Sequence, residues 1–357
     1  MRYLALFLVT GCAAFAQTMT VEEYTPRSTL VVPETKVTRA KFPFVDVHGH
    51  QRNNMSSDEV DRLVKEMDAM NMRVMVQLSG GYGERLREGL RNLKVRYPDR
   101  FVLFANLDFS GMDDPDWTKR TVAQLDADVK AGAQGLKIFK NLGLTTQDKN
   151  GRVHTDDPRL DPVWAKAGEL GIPVLIHTGE PKSFFDPIDK YNERWLELKT
   201  HPNRARPADR YPSWEVIMAE QHNVFQKHPK TQFIAAHLDW LGNDLAELGR
   251  LMDKYPNMNV DIAAVIYDFG RQPRFAKQFL DRYGDRVLFG KDTYNPTEFP
   301  TYFRVLETND EYFDYYRRYH AFWQMYGMGL SDEVLRKIYY KNACRLIPGL
   351  EEKQFEK

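Results

Sequence analysis

Two histidines flank a glycine at the close of an apolar run: His48-Gly49-His50 follows Phe42-Pro43-Phe44-Val45-Asp46-Val47. Residues two apart on a strand share a face, so both imidazoles would point the same way and grip one ion. Alone, a His-x-His pair is more often chance or a hydrogen-bonded pair than a metal site. Three further donors close later apolar runs in the same manner: His177, His237 and Asp292. Imidazoles joined by a carboxylate suit a borderline divalent ion, zinc first, with manganese, iron or cobalt as alternatives. An ion with an open coordination position acidifies water toward a pKa of ~7 and makes it a nucleophile. Asp292 would then accept the proton, and a neutral His237 would orient or polarise a substrate oxygen. The competing roles are a hydrogen-bonded core histidine for His237 and a helix N-cap for Asp292.

Donors so far apart in sequence need a scaffold that gathers them. From Phe42 onward, short β-branched or aromatic runs alternate with amphipathic stretches. The pattern predicts strands over 44–48, 73–78, 101–107, 135–139, 173–177, 232–237, 259–262 and 286–290. Between them it predicts helices over 57–70, 84–97, 117–131, 158–170, 214–228, 244–255 and 274–283. Two closing helices are expected near 311–326 and 331–346. The first helix has Ser56 or Ser57 as N-cap and Val60, Leu63, Val64 and Met67 on one face. Proline stops the helices at Tyr97-Pro98, His228-Pro229 and Tyr255-Pro256 and leads into the next strand. Eight strands alternating with helices fit a single-domain (β/α)₈ TIM barrel, over residues 42–350. An open doubly wound sheet is the alternative, but no Gly-rich phosphate turn follows the first strand.

Barrels of this kind carry their reactive groups at the C-terminal ends of the strands. The ionisable residues there are His48, His50, His177, His237 and Asp292, with Lys137 in the fourth strand and Asp261 closing the seventh. Four of the nine histidines thus fall at strand ends. The others (His154, His201, His222, His228 and His320) fall in predicted loops or helices and read as surface or capping residues.

Lys plus Arg equals Asp plus Glu at 50 each, so no net field would draw nucleic acid or an anionic membrane to this chain. A small-molecule substrate remains, and a homo-oligomer is compatible with the sequence. Residues 1–16 read as an export signal: Met1-Arg2, an apolar stretch from Tyr3 to Val9, then Ala14-Phe15-Ala16 as a cleavage pattern. That destination is the bacterial periplasm or the exterior. Val9-Thr10-Gly11-Cys12 offers a second processing, with a lipid anchor on Cys12. No apolar stretch is long enough to span a membrane as a helix. Removal of Cys12 with the signal would leave Cys344 as the one cysteine, placed in a periodic C-terminal helix as a core residue. Residues 17–41 read as an N-terminal extension packed outside the barrel, or as a tether.

The ordered set of motifs resembles the amidohydrolase superfamily, in the amidohydrolase-related branch that includes aminocarboxymuconate-semialdehyde decarboxylase. The stretches that carry the likeness are Val45 to His50, Gly135 to Phe139, Pro173 to Gly179, Phe233 to His237, Val287 to Asp292 and Lys337 to Ala343. The resemblance implies that His48, His50, His177 and Asp292 bind the metal and that His237 assists the chemistry. One departure is Lys291, where the family commonly has threonine. Lys137 has three readings: a carboxylated bridge between two ions, an anchor for a substrate carboxylate, or the partner of an acid.

Two reactions fit. In one, activated water attacks the C–N or C–O bond of a small, carboxylated substrate, with Asp292 and His237 as catalytic groups. In the other, a non-oxidative decarboxylation, the metal anchors an unsaturated or aromatic acid and a proton replaces the departing carbon dioxide. Lys137, Lys140 and Lys182 favour an acidic substrate in either case. A catalytically silent binding protein on the same barrel is the third reading. The long segment 181–212, rich in aromatic and charged residues, is either a specificity lid or a surface loop.

Overall fold

Strong periodicity becomes regular structure along most of the chain in the computed structural model, which describes residues 18–356. The expected signal over 1–16 lies outside the described residues. Contacts divide the chain into a unit Met1–Val31 and a unit Val32–Lys357. In the first, the amides of Glu23 and Tyr24 both donate to the carbonyl of Thr20, making one turn, and the other described residues have no regular structure and are mostly exposed.

The second unit holds eight parallel strands: β1 (Phe44–Gly49), β2 (Met72–Gln77), β3 (Phe101–Ala105), β4 (Gly135–Ile138), β5 (Val174–Ile176), β6 (Phe233–Ala235), β7 (Met258–Asp261) and β8 (Val287–Leu288). They pair in chain order. The ends of the sheet meet where Val47 N–H donates to Phe289 O (3.0 Å) and Asp292 N–H to His48 O (2.7 Å). This is the nearly closed TIM barrel that the alternation predicted. A two-stranded hairpin, Gln147–Asp148 with Gly151–Arg152, is inserted between β4 and β5. Among the described residues, no helix is long and apolar enough to cross a membrane.

The helices pack their apolar faces on this sheet. Helix Ser57–Met70 buries Val60, Leu63, Val64, Met67 and Met70, and Ser56 with Glu59 forms its capping box. Each such side chain contributes ~1.5–3 kcal/mol by leaving water. Residues of the expected extension join this body: Thr35 N–H and Oγ1 reach the Asp310 carboxylate at 2.8 and 2.6 Å, and Ala40 N–H reaches Met70 O at 3.2 Å.

The segment 311–326 corrects the sequence reading, because it is not a helix. Tyr312 takes a left-handed φ of 56°, and Phe313 and Met325 exchange amide bonds of 3.0 and 2.8 Å as an antiparallel bridge. Its aromatic residues follow tertiary contacts instead of a helical face: Tyr315 packs edge-on to Tyr267, and its hydroxyl donates to that of Tyr316 at 2.8 Å. The helix that follows β8 is Phe299–Glu307, with Pro300 in its first turn, where a missing N–H costs nothing.

Candidate metal centre

Side chains from four different strand ends meet at the C-terminal mouth of the barrel. His48 lies in β1 and His50 just beyond it, with Gly49 between them. A Cβ on Gly49 would stand 2.9 Å from the carbonyl oxygen of Val76, so only glycine lets β1 approach β2 this closely. His177 follows β5, His237 follows β6 and Asp292 lies four residues past β8. The ring centroids of His48 and His50 are 5.4 Å apart, those of His48 and His237 4.8 Å, and those of His177 and His237 4.4 Å. Asp292 Oδ1 lies 3.5 Å from His50 Nε2 and 4.0 Å from His48 Nε2. Donor atoms of His48, His177 and His237 fall within 4.8 Å of one another, as do those of His48, His50 and Asp292.

Hydrogen bonds orient the rings. His237 Nδ1 lies 2.7 Å from the carbonyl of Ala263, so that nitrogen carries the proton and Nε2 keeps a lone pair, facing His177 Nδ1 at 3.3 Å. His48 Nδ1 lies 2.8 Å from Asp261 Oδ2 and His50 Nδ1 2.8 Å from Ser79 Oγ. A carboxylate behind an imidazole of this kind fixes its tautomer and raises its basicity toward a metal.

From the sequence, Asp261 is only the residue that closes β7. It is fully buried, and its Oδ1 also accepts from the amides of His237 (2.9 Å) and Ala263 (3.0 Å). Burial would push its carboxyl up, but the His48 and His237 interactions prevail and hold it at about 2. Asp46 shows the reverse balance. Burial lifts it to about 6, against the pull of the His48 and Lys291 amides that it accepts.

The residues fit a divalent ion. Burial lowers His237 to about 4, His50 to about 3 and His177 well below the usual imidazole range, which keeps their lone pairs free. For Asp292 burial is outweighed by the surrounding imidazoles and Lys137, so its carboxyl is lowered and ionised. His177 Nε2 is buried with no hydrogen-bond partner among the described residues. Such an orphan costs ~1–3 kcal/mol unless a ligand satisfies it. Neutral nitrogens with one carboxylate are the donor set of zinc and its neighbours.

Lys137 projects from β4 into the same interior. It is 1 % exposed, and its Nζ has no hydrogen-bond partner among the described residues. Burial pulls the amine down to about 7, against the attraction of Asp261 and Asp292. The other lysines expected near the substrate are already paired: Lys140 with Glu180 at 2.6 Å and Lys182 with Glu215 at 2.8 Å. Lys291 turns away from the imidazoles, its Nζ on Glu298 at 2.6 Å.

Backbone strain marks one edge of the centre. His237, Leu238, Asp239 and Trp240 all have φ between 55° and 58°, a run of left-handed residues without a glycine. Each costs ~1–2 kcal/mol. The turn is held by buried Asp239, which accepts from Gln221 Nε2 (2.5 Å) and pairs with His222 Nε2 (2.6 Å). It sets the Trp240 ring 4.5 Å from His237 and 5.6 Å from His177. On the far side of Trp240 lies a cavity of about 480 Å³, lined also by Lys182, Asp186, Asn192, Arg194 and Tyr267. Of the segment 181–212, residues 181–194 thus help to line a cavity that Trp240 also borders.

The remaining histidines have structural partners. His154 is exposed and 2.9 Å from Glu220, as expected for a surface residue. His222, His228 and His320 are mostly buried instead, against Asp239, Asp161 and Arg204, while His201 stacks on Tyr319. Cys344 is half-buried, and burial lifts its thiol to about 12, which suits a packing role.

The sequence model of the amidohydrolase family matches residues 45–349. Among curated proteins, none matches the chain. Among solved structures, an uncharacterized TIM-barrel protein from Bordetella bronchiseptica is 16% identical, with a TM-score of 0.53 over 85% of this chain and 98% of its own. The 4-oxalomesaconate hydratase of Rhodopseudomonas palustris is also 16% identical, with a TM-score of 0.50 over 85% of this chain and 95% of its own. At that identity the likeness to solved structures carries the fold alone, whereas the family match spans the barrel and every strand end described above. The chain belongs to the amidohydrolase family.

Proposed function

We propose that this protein is a metal-dependent hydrolase acting on a small, carboxylated substrate, with His48, His50, His177 and Asp292 holding one divalent ion, zinc first. The observation that carries the reading is a pair of donor groups that share His48, one with His177 and His237 and one with His50 and Asp292, the donor atoms of each lying within 4.8 Å of one another. A bound ion would supply Lewis acidity and acidify water at neutral pH. Asp292, ionised and within 3.5 Å of His50, would take the proton from the attacking water. His237 keeps its Nε2 lone pair toward the centre because the Ala263 carbonyl holds the proton on Nδ1, so it would accept a hydrogen bond from the water and orient it, and the proton taken by Asp292 would go on to the leaving group. Lys137, poised near neutrality in a dry wall, would pair with a substrate carboxylate; carboxylated, it would instead join a second ion. Trp240 closes one side against solvent.

Lys137 also favours a second reading. A buried amine with no acid bonded to it suits a carboxylated substrate and a proton delivered as carbon dioxide leaves, which is non-oxidative decarboxylation. We further propose that residues 1–16 direct export and that 42–350 form the catalytic domain. Metal analysis of purified protein tests the main reading, followed by a screen of carboxylated amides, lactones and aromatic acids with added zinc or manganese. Incorporation of labelled water into product supports hydrolysis, and release of carbon dioxide the second reading. Absence of bound metal, with no activation by either ion, rejects both.

A further inference from the structure

The barrel closes where β8 returns to β1, and this seam carries candidate ligands on both sides. It is a poor place for backbone pairing. β8 is two residues long, and β1 shifts register against β2 between Asp46 and Gly49. Across the seam the backbone supplies the bonds Val47 N–H to Phe289 O and Asp292 N–H to His48 O. The amide of Phe289 is turned to Ile338 O, at 3.0 Å. Two amides beside the ligands, those of His48 and Lys291, are left to a side chain: both donate to Asp46 Oδ1, each at 3.0 Å. Asp46 is fully buried, and its Oδ2 has no partner among the described residues. The approach is tight, since a Cβ on Gly290 would stand 2.9 Å from the Cβ of His48.

We propose that Asp46 is the positioning residue of the metal centre, one carboxylate oxygen standing in for the missing ladder acceptor and clamping His48 to the backbone that presents Asp292. The inference rests on His48 and Asp292 being ligands. A buried residue serving packing alone would have no need of an oxygen bonded to one amide from each side of the seam. A burial penalty is accepted here because two buried N–H groups would otherwise be orphaned, at ~1–3 kcal/mol each. What the clamp controls is the distance between two ligands on strands that their own ladder barely joins.

The test uses the full mature chain, stripped with a chelator and titrated with cobalt(II), whose visible bands report coordination geometry. Asp46→Asn keeps one carbonyl oxygen for the two amides; Asp46→Leu has the same outline and no acceptor. Asp46→Asn should bind cobalt within about threefold of the parent and keep its bands. Asp46→Leu should bind about 10- to 100-fold more weakly, the usual cost of losing an outer partner, with shifted bands. Parent-like affinity and bands in Asp46→Leu would overturn the proposal, and so would an Asp46→Asn as weak as Asp46→Leu. If Asp46→Leu does not fold, amide exchange in Asp46→Ala, which also lacks the acceptor but adds no bulk, decides. Faster exchange confined to peptides spanning 46–50 and 289–293 supports the clamp, and unchanged exchange there overturns it. A parent that binds neither cobalt, zinc nor manganese is a different result, and rejects the metal reading itself.

Discussion

Lys137→Met should make the metal-free protein more stable while removing whatever the amine does. Lys137 is 1 % exposed with no hydrogen-bond partner for Nζ among the described residues, and burial lowers it from 10.5 to about 7. The folded value lies below the unfolded one. The unfolded chain therefore binds the extra proton between about pH 7 and 10.5, and stability rises with pH across that window. A fall of that size is worth roughly 5 kcal/mol below the window and about 4 kcal/mol at pH 7. Methionine has nearly the same length and volume, so little packing is lost. The assay is urea unfolding of chelator-stripped parent and variant at pH 7, 8 and 9. Other buried lysines titrate alike in both proteins, so they cancel in the difference. The variant should be more stable by several kcal/mol at pH 7, and the gap should narrow by about 2 kcal/mol at pH 9. A gap that does not change with pH, or a variant less stable than the parent at pH 7, would falsify the assignment of Lys137 as an unpaired buried amine.

Acid should destabilise the stripped protein for a related reason. His237 falls from 6.5 to about 4 on folding, so the unfolded state binds more protons below pH 6.5 and stability drops by about 2 kcal/mol between pH 7 and 5. His177 acts in the same direction. Asp46, raised to about 6, opposes with about 1 kcal/mol, because its protonation favours the fold over that interval. A urea midpoint unchanged or higher at pH 5 contradicts this balance. Zinc or manganese at a thousandfold excess over Kd should stabilise the stripped chain by about 4 kcal/mol, seen as a rise in Tm that His177→Ala largely abolishes. An equal rise in both proteins would remove His177 from the centre. Asp261→Asn replaces the ionised acceptor of His48 Nδ1 and should weaken metal binding about 10- to 100-fold; calorimetric titration showing parent-like affinity would reject that role.

What the sequence made legible was whatever depends on local pattern. Runs such as Phe233-Ile234-Ala235 and Val174-Leu175-Ile176 have few conformational choices, and a donor at the end of each is visible once the barrel rule is applied. Roles that depend on the neighbouring strand were hidden. Nothing local says that Asp261 will stand behind His48, a ring 213 positions away. Nothing local says that Asp46 will accept the amide of Lys291, or that Lys140 is neutralised by Glu180. The left-handed run His237–Trp240 has no glycine or asparagine to announce it, because the turn is imposed by Asp239 and its partners on another helix. Segment 311–326 failed for the opposite reason. Its aromatic and basic spacing imitates a helical face, yet those rings are fixed by Tyr267 and Tyr302 from elsewhere in the barrel.

Several unfavourable features lie at this end of the barrel. Lys137 Nζ, His177 Nε2 and Asp46 Oδ2 are all buried without partners among the described residues, and four successive residues beside them hold left-handed backbone. By ~1–3 kcal/mol for each orphaned atom and ~1–2 for each strained residue, these terms rival the whole margin by which a domain is stable. Apolar replacements at Lys137 or His177 would remove part of that burden without disturbing the strands. A barrel shaped by packing alone would carry them. On the proposed reading, that cost is what leaves these groups free for an ion and a substrate, and the stability gained by Lys137→Met would measure the share that Lys137 carries.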